Sequence, residues 1–425
     1  MTPINHWASI PGPENITRRE TENGMIVLSR ENFDSPSVVF NGYLGGGSLF
    51  DPDDRLGLAL FTTQALMRGT AKRSQQEIYE ALESMGASVG FGIGAHSVTF
   101  GGRALAEDFP VILDTLAEVL QNPIFPDVEL ERLRAQMITS LALRDQDTEQ
   151  RASMAFEEIV YAGHPYSRPE DGNPETIQAI QRADLVDFHH RYYGPQGMVI
   201  AVVGALNRES VTDEVEKRFG CWENSFDPQQ PVLPDPQPVT AEVRKHIPLK
   251  DKFQTDVIMG TLGPKRTSAD YLTANLGNHI LGQFGMMGRI GESVREKAGL
   301  AYNVTSSINA GLLSGTWEVS AGVASENVVQ AVELIKKEIA RFTAEPVTAE
   351  EISDSTSNLI GQVPLWLESN NGVASALVRL ERFQLGLDYY HRFPDMLKAI
   401  TAADILECAR RYLDADKLII ASSGQ

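Results

Sequence analysis

Residues 293–304, SVREKAGLAYNV, set an arginine and a tyrosine seven positions apart, Arg295 and Tyr302, on either side of Gly299. A guanidinium is a permanent forked donor of hydrogen bonds, and a phenol is a neutral one. Together they suit a carbonyl oxygen on its way to becoming an oxyanion. The spacing puts them on different elements. Arg295 falls in the last turn of a helix that Lys297 and a left-handed Gly299 bring to its end, and Tyr302 opens the strand that follows. A purely structural reading competes with this one: Arg295 pairs with Glu292 or Glu296, and Tyr302 packs its ring at a rim with the hydroxyl in water.

The chain supplies its own control, because it is a doubled domain. Residues 179–204 lie without a gap on 399–424, 220 positions later, with Arg191 on Arg411 and Tyr192 on Tyr412. The apolar run Phe109, Ile112, Leu116, Leu120 is shadowed at helical spacing by Val328, Ala331, Ile335, Ile339. Earlier still, VVFNGYLG at 38–45 matches DVIMGTLG at 256–263. One period of about half the chain means a tandem duplication and no solenoid. Setting Gly86 opposite Gly299 puts Leu82 at the position of Arg295 and Val89 at that of Tyr302. The first copy turns the same corner without the pair, so the fold does not need these side chains. Just upstream, GQFGMMGRIG is an adaptable backbone stretch, and its Gly285 and Gly288 are candidate substrate contacts.

Each copy reads as strands first and helices after. NG at 23–24 between ITRRET and MIVLSR signals a hairpin, and SVGFGIGAHSVTFGGRAL and AYNVTSSINAGLLSGTWEVSAGV each read as strand, turn, strand. DFPVILDTLAEVLQ and VELERLRAQMITSLALR then supply helices with one apolar face. The expected class is α+β: two homologous domains, each an antiparallel sheet backed by helices. The expected boundaries are 1–225 and 246–425, joined by a linker at 226–245 in which five prolines from Pro228 to Pro238 block both helix and central strand.

At 425 residues and 42% apolar composition the chain can build two cores. Cys221 and Cys408 are too few and too far apart for a disulfide framework, and both are expected to be small buried hydrophobes of a reducing compartment. The start, MTPINHWASIPGPENITRRE, lacks a signal-peptide pattern, and no apolar run reaches membrane-spanning length. The expectation is a cytoplasmic protein without a membrane partner. A formal net charge of −20 argues against nucleic acid and leaves a weak bias toward cationic ligands. The histidines offer no metal site: His189 and His190 are adjacent and diverge on a helix, and His96, His164, His279 and His391 have no acidic residue at ligand spacing.

With these motifs on the page, the chain resembles the pitrilysin/insulinase family of zinc peptidases, in the branch of subunits about this long that includes the processing peptidases. REKAGLAY looks like the family's Arg/Tyr motif, and GLALFTTQALMRGT at 57–70 looks like its metal-bearing segment. YAGHPYSRP and DFHHRYYGPQGMVIAVVG also fit. The family's zinc segment carries H-x-x-E-H, two ligands with a general base between them. Here Leu60 and Gln64 stand at the histidine positions and Thr63 at the glutamate, and 133–144, where a third acidic ligand is expected, has no acid. The resemblance therefore implies no metal and no cofactor in this chain. It implies a non-catalytic subunit of a heterodimeric peptidase, lending Arg295 and Tyr302 to the active site of a homologous zinc-bearing partner. Peptide substrate would add as a strand to a sheet edge, using first-half strands such as SVTFGG. The rival readings are a scaffold with no part in proteolysis and a homodimer that clamps peptides uncut.

Overall fold

The computed structural model describes residues 10–224 and 233–425, so the first part of the expected linker, 226–232, lies outside the described residues. Two compact units form. One takes the chain up to Leu141, the stretch from Arg168 to the linker, and Val363–His391. The other takes Ala142–Ser167, the stretch from Leu233 to Gln362, and Arg392–Gln425. Each unit is thus built mainly from one half of the chain and includes helical segments of the other.

Among the described residues the first unit holds six strands: β1 (Thr17–Glu20), β2 (Ile26–Glu31), β3 (Ser37–Gly46), β4 (Ser88–Ile93), β5 (Ser97–Leu105) and β6 (Val199–Gly204). Their order across the sheet is β1-β2-β6-β3-β5-β4. The second unit holds β7 (Val243–Pro248), β8 (Thr255–Leu262), β9 (Ala301–Asn309), β10 (Thr316–Val323) and β11 (Ile419–Gly424), in the order β7-β11-β8-β10-β9. With β1 set aside the two orders are the same. Even the register repeats, since Ile26 lies beside Val199 in the first sheet and Val243 beside Ile419 in the second. The sheets depart from the expectation in one respect. β2 with β6, and β7 with β11, run parallel; all other pairings are antiparallel. The last strand of each copy arrives from a helix rather than a hairpin, and such a crossover permits a parallel neighbour.

The helices of the first half are α1 (Leu58–Ala65), α2 (Gln75–Glu83), α3 (Phe109–Gln121), α4 (Asp127–Arg144), α5 (Thr148–Val160), α6 (Pro174–Ala179), α7 (Arg182–Tyr192) and α8 (Arg208–Phe219). Those of the second are α9 (Tyr271–Gly282), α10 (Phe284–Gly291), α11 (Val328–Ala344), α12 (Ala349–Trp366), α13 (Asn370–Arg382), α14 (Tyr389–Lys398) and α15 (Ala402–Tyr412). The sequence of β6, VIAVVG, is apolar without alternation because every residue of it is buried, as strands covered on both faces require. One face meets the helices of its own half. The other is covered by α13, which lies over β3 and β6. In the second unit α5 lies over β8 and β11, with Ala155 and Phe156 against Ile258 and Ile419. A forked ion pair ties α13 to the sheet: Arg18 of β1 donates from Nε and Nη2 to the Glu381 carboxylate at 2.8 and 2.9 Å. This bond to Arg18 holds the Glu381 carboxyl below the ordinary carboxylate range.

The cysteines correct one expectation. Cys408 is buried, and burial pushes its thiol up to about 12. Cys221, in the turn that follows α8, is exposed. No described helix is long and apolar enough to cross a membrane.

Candidate functional site

Helix α1 carries the three positions at which the expected metal chemistry would stand. Its start is fixed by a buried carboxylate, because Asp51 accepts from the amides of Gly57 and Ala59, both at 2.8 Å. Burial outweighs those two bonds and pushes the Asp51 carboxyl up to about 7. Leu60 packs half-buried against the core and Gln64, one turn on, is exposed. Thr63 is 1% exposed. Its hydroxyl donates to the Ala59 carbonyl at 2.7 Å and lies 2.9 Å from the Tyr193 hydroxyl. The one threonine proton goes to Ala59, so Tyr193 is the donor to Thr63. Zinc does not fit this set: leucine has no lone pair to give, a neutral carboxamide is a poor ligand, and the threonine oxygen is already committed within the fold. Where 133–144 follows, the buried Arg134 sets a permanent cation over the ring of Phe61, 5.1 Å from its centroid. Among the described residues no three His, Cys, Asp or Glu are grouped to hold a metal ion.

The histidines are engaged in the fold instead. Nε2 of His189 lies 2.7 Å from the Leu120 carbonyl and must be protonated to donate there. Burial lowers its ring to about 4, so it stays neutral. His279 on α9 meets Asn358 at 3.1 Å, and Nδ1 of His164 accepts from the Tyr166 amide at 3.1 Å.

The corner bearing Arg295 and Tyr302 is irregular on both sides. Residues Glu292–Lys297 continue α10 as a π-helical turn rather than the α-helical end the spacing predicts. Gly299 is left-handed (φ 64°), as expected, and its amide bonds to the Arg295 carbonyl. In the ladder between β9 and β10, Gly322 faces Asn303 and Val323 faces Ala301, which leaves Tyr302 without an opposite residue. Such a bulge turns a side chain out of the strand's alternation. The result is a ring 88% exposed, with the Arg295 guanidinium 5.8 Å from its centroid. Arg295 itself is half-buried and lies 3.6 Å from the Glu296 carboxylate. The first copy shows the regular alternative. Its β4–β5 ladder runs Ser88 to Arg103 and Val89 to Gly102 without a break, and Leu82 and Val89 are in the core.

The element before the corner is firmly held. Arg289 of α10 forks onto Glu351 of α12 at 2.6 and 2.7 Å, and this bond is the chief force opposing burial that holds the Glu351 carboxyl down at about 2. Gly288 is left-handed (φ 64°), and a Cβ there would lie 2.6 Å from the Gly282 nitrogen and the Ile280 oxygen. Gly285, also left-handed, has nothing within 4 Å of such a Cβ. Gly288 therefore answers to packing, and Gly285 leaves its backbone open.

Two family models match in succession, one described as insulinase, peptidase family M16, over residues 26–171, and one as the peptidase M16 inactive domain over residues 179–359. The chain belongs to peptidase family M16. This M16 chain is similar to an uncharacterised zinc protease of Mycobacterium leprae, 26% identical over 387 residues, which covers 91% of this chain and 86% of the relative. It is also similar to the crystal structure of a peptidase M16 inactive domain from Pseudomonas fluorescens, at TM-score 0.90 and 27% identity over 96% of this chain and 98% of that one. A chain of complex III2 from Candida albicans shares the fold, with TM-score 0.80 at 14% identity over 96% and 95% of the two chains.

One expectation about substrate needs correction within this M16 fold. SVTFGG lies on β5, which is paired on one side with β3 and on the other with β4. It has no free edge to offer; the strand at the edge is β4. An alternating glycine pattern marks both strands alike, so the sequence does not say which of them is outermost.

Proposed function

We propose that this M16 chain is the non-catalytic member of a heterodimeric zinc peptidase, in which Arg295 and Tyr302 act on peptide bound in the active site of a homologous, zinc-bearing partner. The observation that carries this reading is the contrast between two corners of one duplicated fold. Where the first copy has Leu82 and Val89 in its core, the second has a π-turn and a bulge that leave a guanidinium and a phenol side by side and accessible. At α1, by contrast, Leu60 packs against the core and Thr63 is engaged in internal hydrogen bonds, while Gln64 is exposed. The role of the pair is to donate hydrogen bonds to the carbonyl oxygen under attack. Any metal belongs to the partner.

Replacing Tyr302 with Phe removes one hydroxyl that is exposed in this chain, so folding and assembly should be unaffected. Turnover by the complex should fall about a hundredfold, the scale of one lost oxyanion donor, roughly 3 kcal/mol. The test reconstitutes the complex from the two purified chains and compares steady-state rates, with zinc content of each chain measured by mass spectrometry. Unchanged turnover by Tyr302→Phe, or chelator-sensitive cleavage by the isolated chain, would defeat the proposal.

A further inference from the structure

On the first sheet, α13 covers the outer face of β3 and β6, and beside it runs a groove of about 960 Å³ over the outer face of β5 and β4. Its floor carries Ser88, Gly90, Thr99 and Arg103, and its wall is α13, with Ser375 and Arg379. The chain has 57 acidic residues and a formal net charge of −20, yet no carboxylate lines this groove. Arg103 and Arg379 are both exposed, and neither has an ion pair or side-chain hydrogen bond among the described residues. Elsewhere in the same unit arginines are matched to acids: Arg18 to Glu381, Arg73 to Glu118, Arg218 to Asp114. The remaining polar groups are the amides of Asn41 and Asn371 and the hydroxyls of Ser88, Thr99 and Ser375, which can meet a peptide backbone, and between them lie glycines and apolar side chains such as Val39 and Phe91.

The counterpart in the second unit is different in kind. There the outer face of β10 presents Glu318 in the region of Tyr161, the residue that follows α5, and burial raises the carboxyl of Glu318. The cationic groove is thus a property of the first unit and not of the duplicated fold. Gly90 adds a second feature. It has ordinary backbone angles, and a Cβ on it would meet nothing within 4 Å. Neither strain nor packing asks for a glycine here, although glycine weakens a strand. What glycine provides is a floor low enough for another chain to lie on.

We infer that this groove binds an extended, acidic peptide segment, its carboxylates paired with Arg103 and Arg379 and its backbone lying across Gly90. Two isolated cations separated by neutral donors and acceptors fit spaced carboxylates; a nucleic acid, charged at every residue, would face a strongly anionic protein beyond them. The inference stands apart from the heterodimer reading, since it concerns the full chain alone and needs neither partner nor cleavage.

Fluorescence anisotropy of the full chain with labelled peptides of alternating Glu and Ser, of alternating Lys and Ser, and with oligo-dT of matching length tests it. The Glu–Ser peptide should bind, more weakly as salt rises. Arg103→Ser and Arg379→Ser should each weaken binding about two- to fivefold, as expected for an exposed ion pair, and reversal of both to Glu should abolish it. Gly90→Val should block the groove while the circular dichroism spectrum and unfolding midpoint stay at or above those of the parent. Equal binding of the Lys–Ser peptide, competitive binding of oligo-dT at the same affinity, or Glu–Ser binding that survives both Gly90→Val and the double reversal would overturn the inference.

Discussion

The pair formed by Thr63 and Tyr193 tests whether the threonine at the expected base position serves the fold's own hydrogen bonding. Tyr193 is 2% exposed and its hydroxyl donates to Thr63; burial raises the phenol far above its ordinary range. Thr63→Val keeps the shape of the side chain, so no cavity forms. It leaves the Tyr193 O–H buried with no acceptor from Thr63, which costs about 1–3 kcal/mol. Tyr193→Phe removes the donor instead and leaves an acceptor that costs less to strand, about 0.5–1.5 kcal/mol. The double variant has no stranded donor, so it should be more stable than Thr63→Val alone. A rescue of about 1 kcal/mol corresponds to about 2–4 °C for a unit of this size. Scanning calorimetry of the four proteins reads it, provided the transition of the first unit is resolved from the second. Additive effects of the two substitutions, or a double variant below Thr63→Val, would show that the hydroxyls are not coupled.

Asp51 titrates in the fold near 7 against an ordinary 3.8. A raised carboxyl contributes stability that is fully present below about 4 and lost as pH rises through about 7. Asp51→Asn should flatten that decline in urea midpoints measured between pH 5 and pH 8, and an equal decline in both proteins would count against it. Glu381→Gln breaks the fork with Arg18, but Arg18 is 37% exposed, so water takes up part of the loss. About 1–2 kcal/mol is expected, less than for a fully buried pair, seen as faster hydrogen exchange in α13 than in β6; equal exchange in parent and variant would refute it. Gly288→Ala should destabilise more than Gly285→Ala: both meet the left-handed strain of about 1–2 kcal/mol, and only Gly288 also meets backbone atoms. Equal midpoints for the two would remove the packing role assigned to Gly288.

Local signals carried far in this chain because they report short-range physics. The hairpin at Asn23–Gly24, the strand pairs at β4–β5 and β9–β10, and the left-handed Gly299 all stand where their residues place them. Leu60, Thr63 and Gln64 are legible from sequence as residue types that make no zinc ligand or a poor one. The remainder depends on partners far along the chain. Glu381 is buried in α13 only because Arg18 meets it from 363 positions away, and no periodicity in α13 reveals which sheet it will cover. The groove beside it was hidden for the same reason. Its cations come from β5 and α13, and net charge alone pointed toward basic ligands, the opposite sign from what Arg103 and Arg379 favour.

The bulge at Tyr302 and the π-turn at Arg295 were invisible to periodicity, since each is a single-residue departure from a regular element. They are nonetheless the most informative features of the second unit. A bulge interrupts ladder pairing, and a π-turn is a poorer helix than the α-helical turns it replaces. The first copy shows that this topology can be built with neither, its α2 closing with the Gly86 and Ala87 amides bonded to the Glu83 and Leu82 carbonyls and its β4 paired in unbroken register. Packing therefore does not demand the irregular corner. What the two irregularities achieve together is geometric. The π-turn brings the Arg295 guanidinium to the end of the helix, and the bulge swings the Tyr302 ring off the β9 ladder to meet it. The guanidinium comes to lie 5.8 Å from the ring centroid, where the first copy has Leu82 and Val89 in its core; the donor role proposed for the pair accounts for a difference that packing does not.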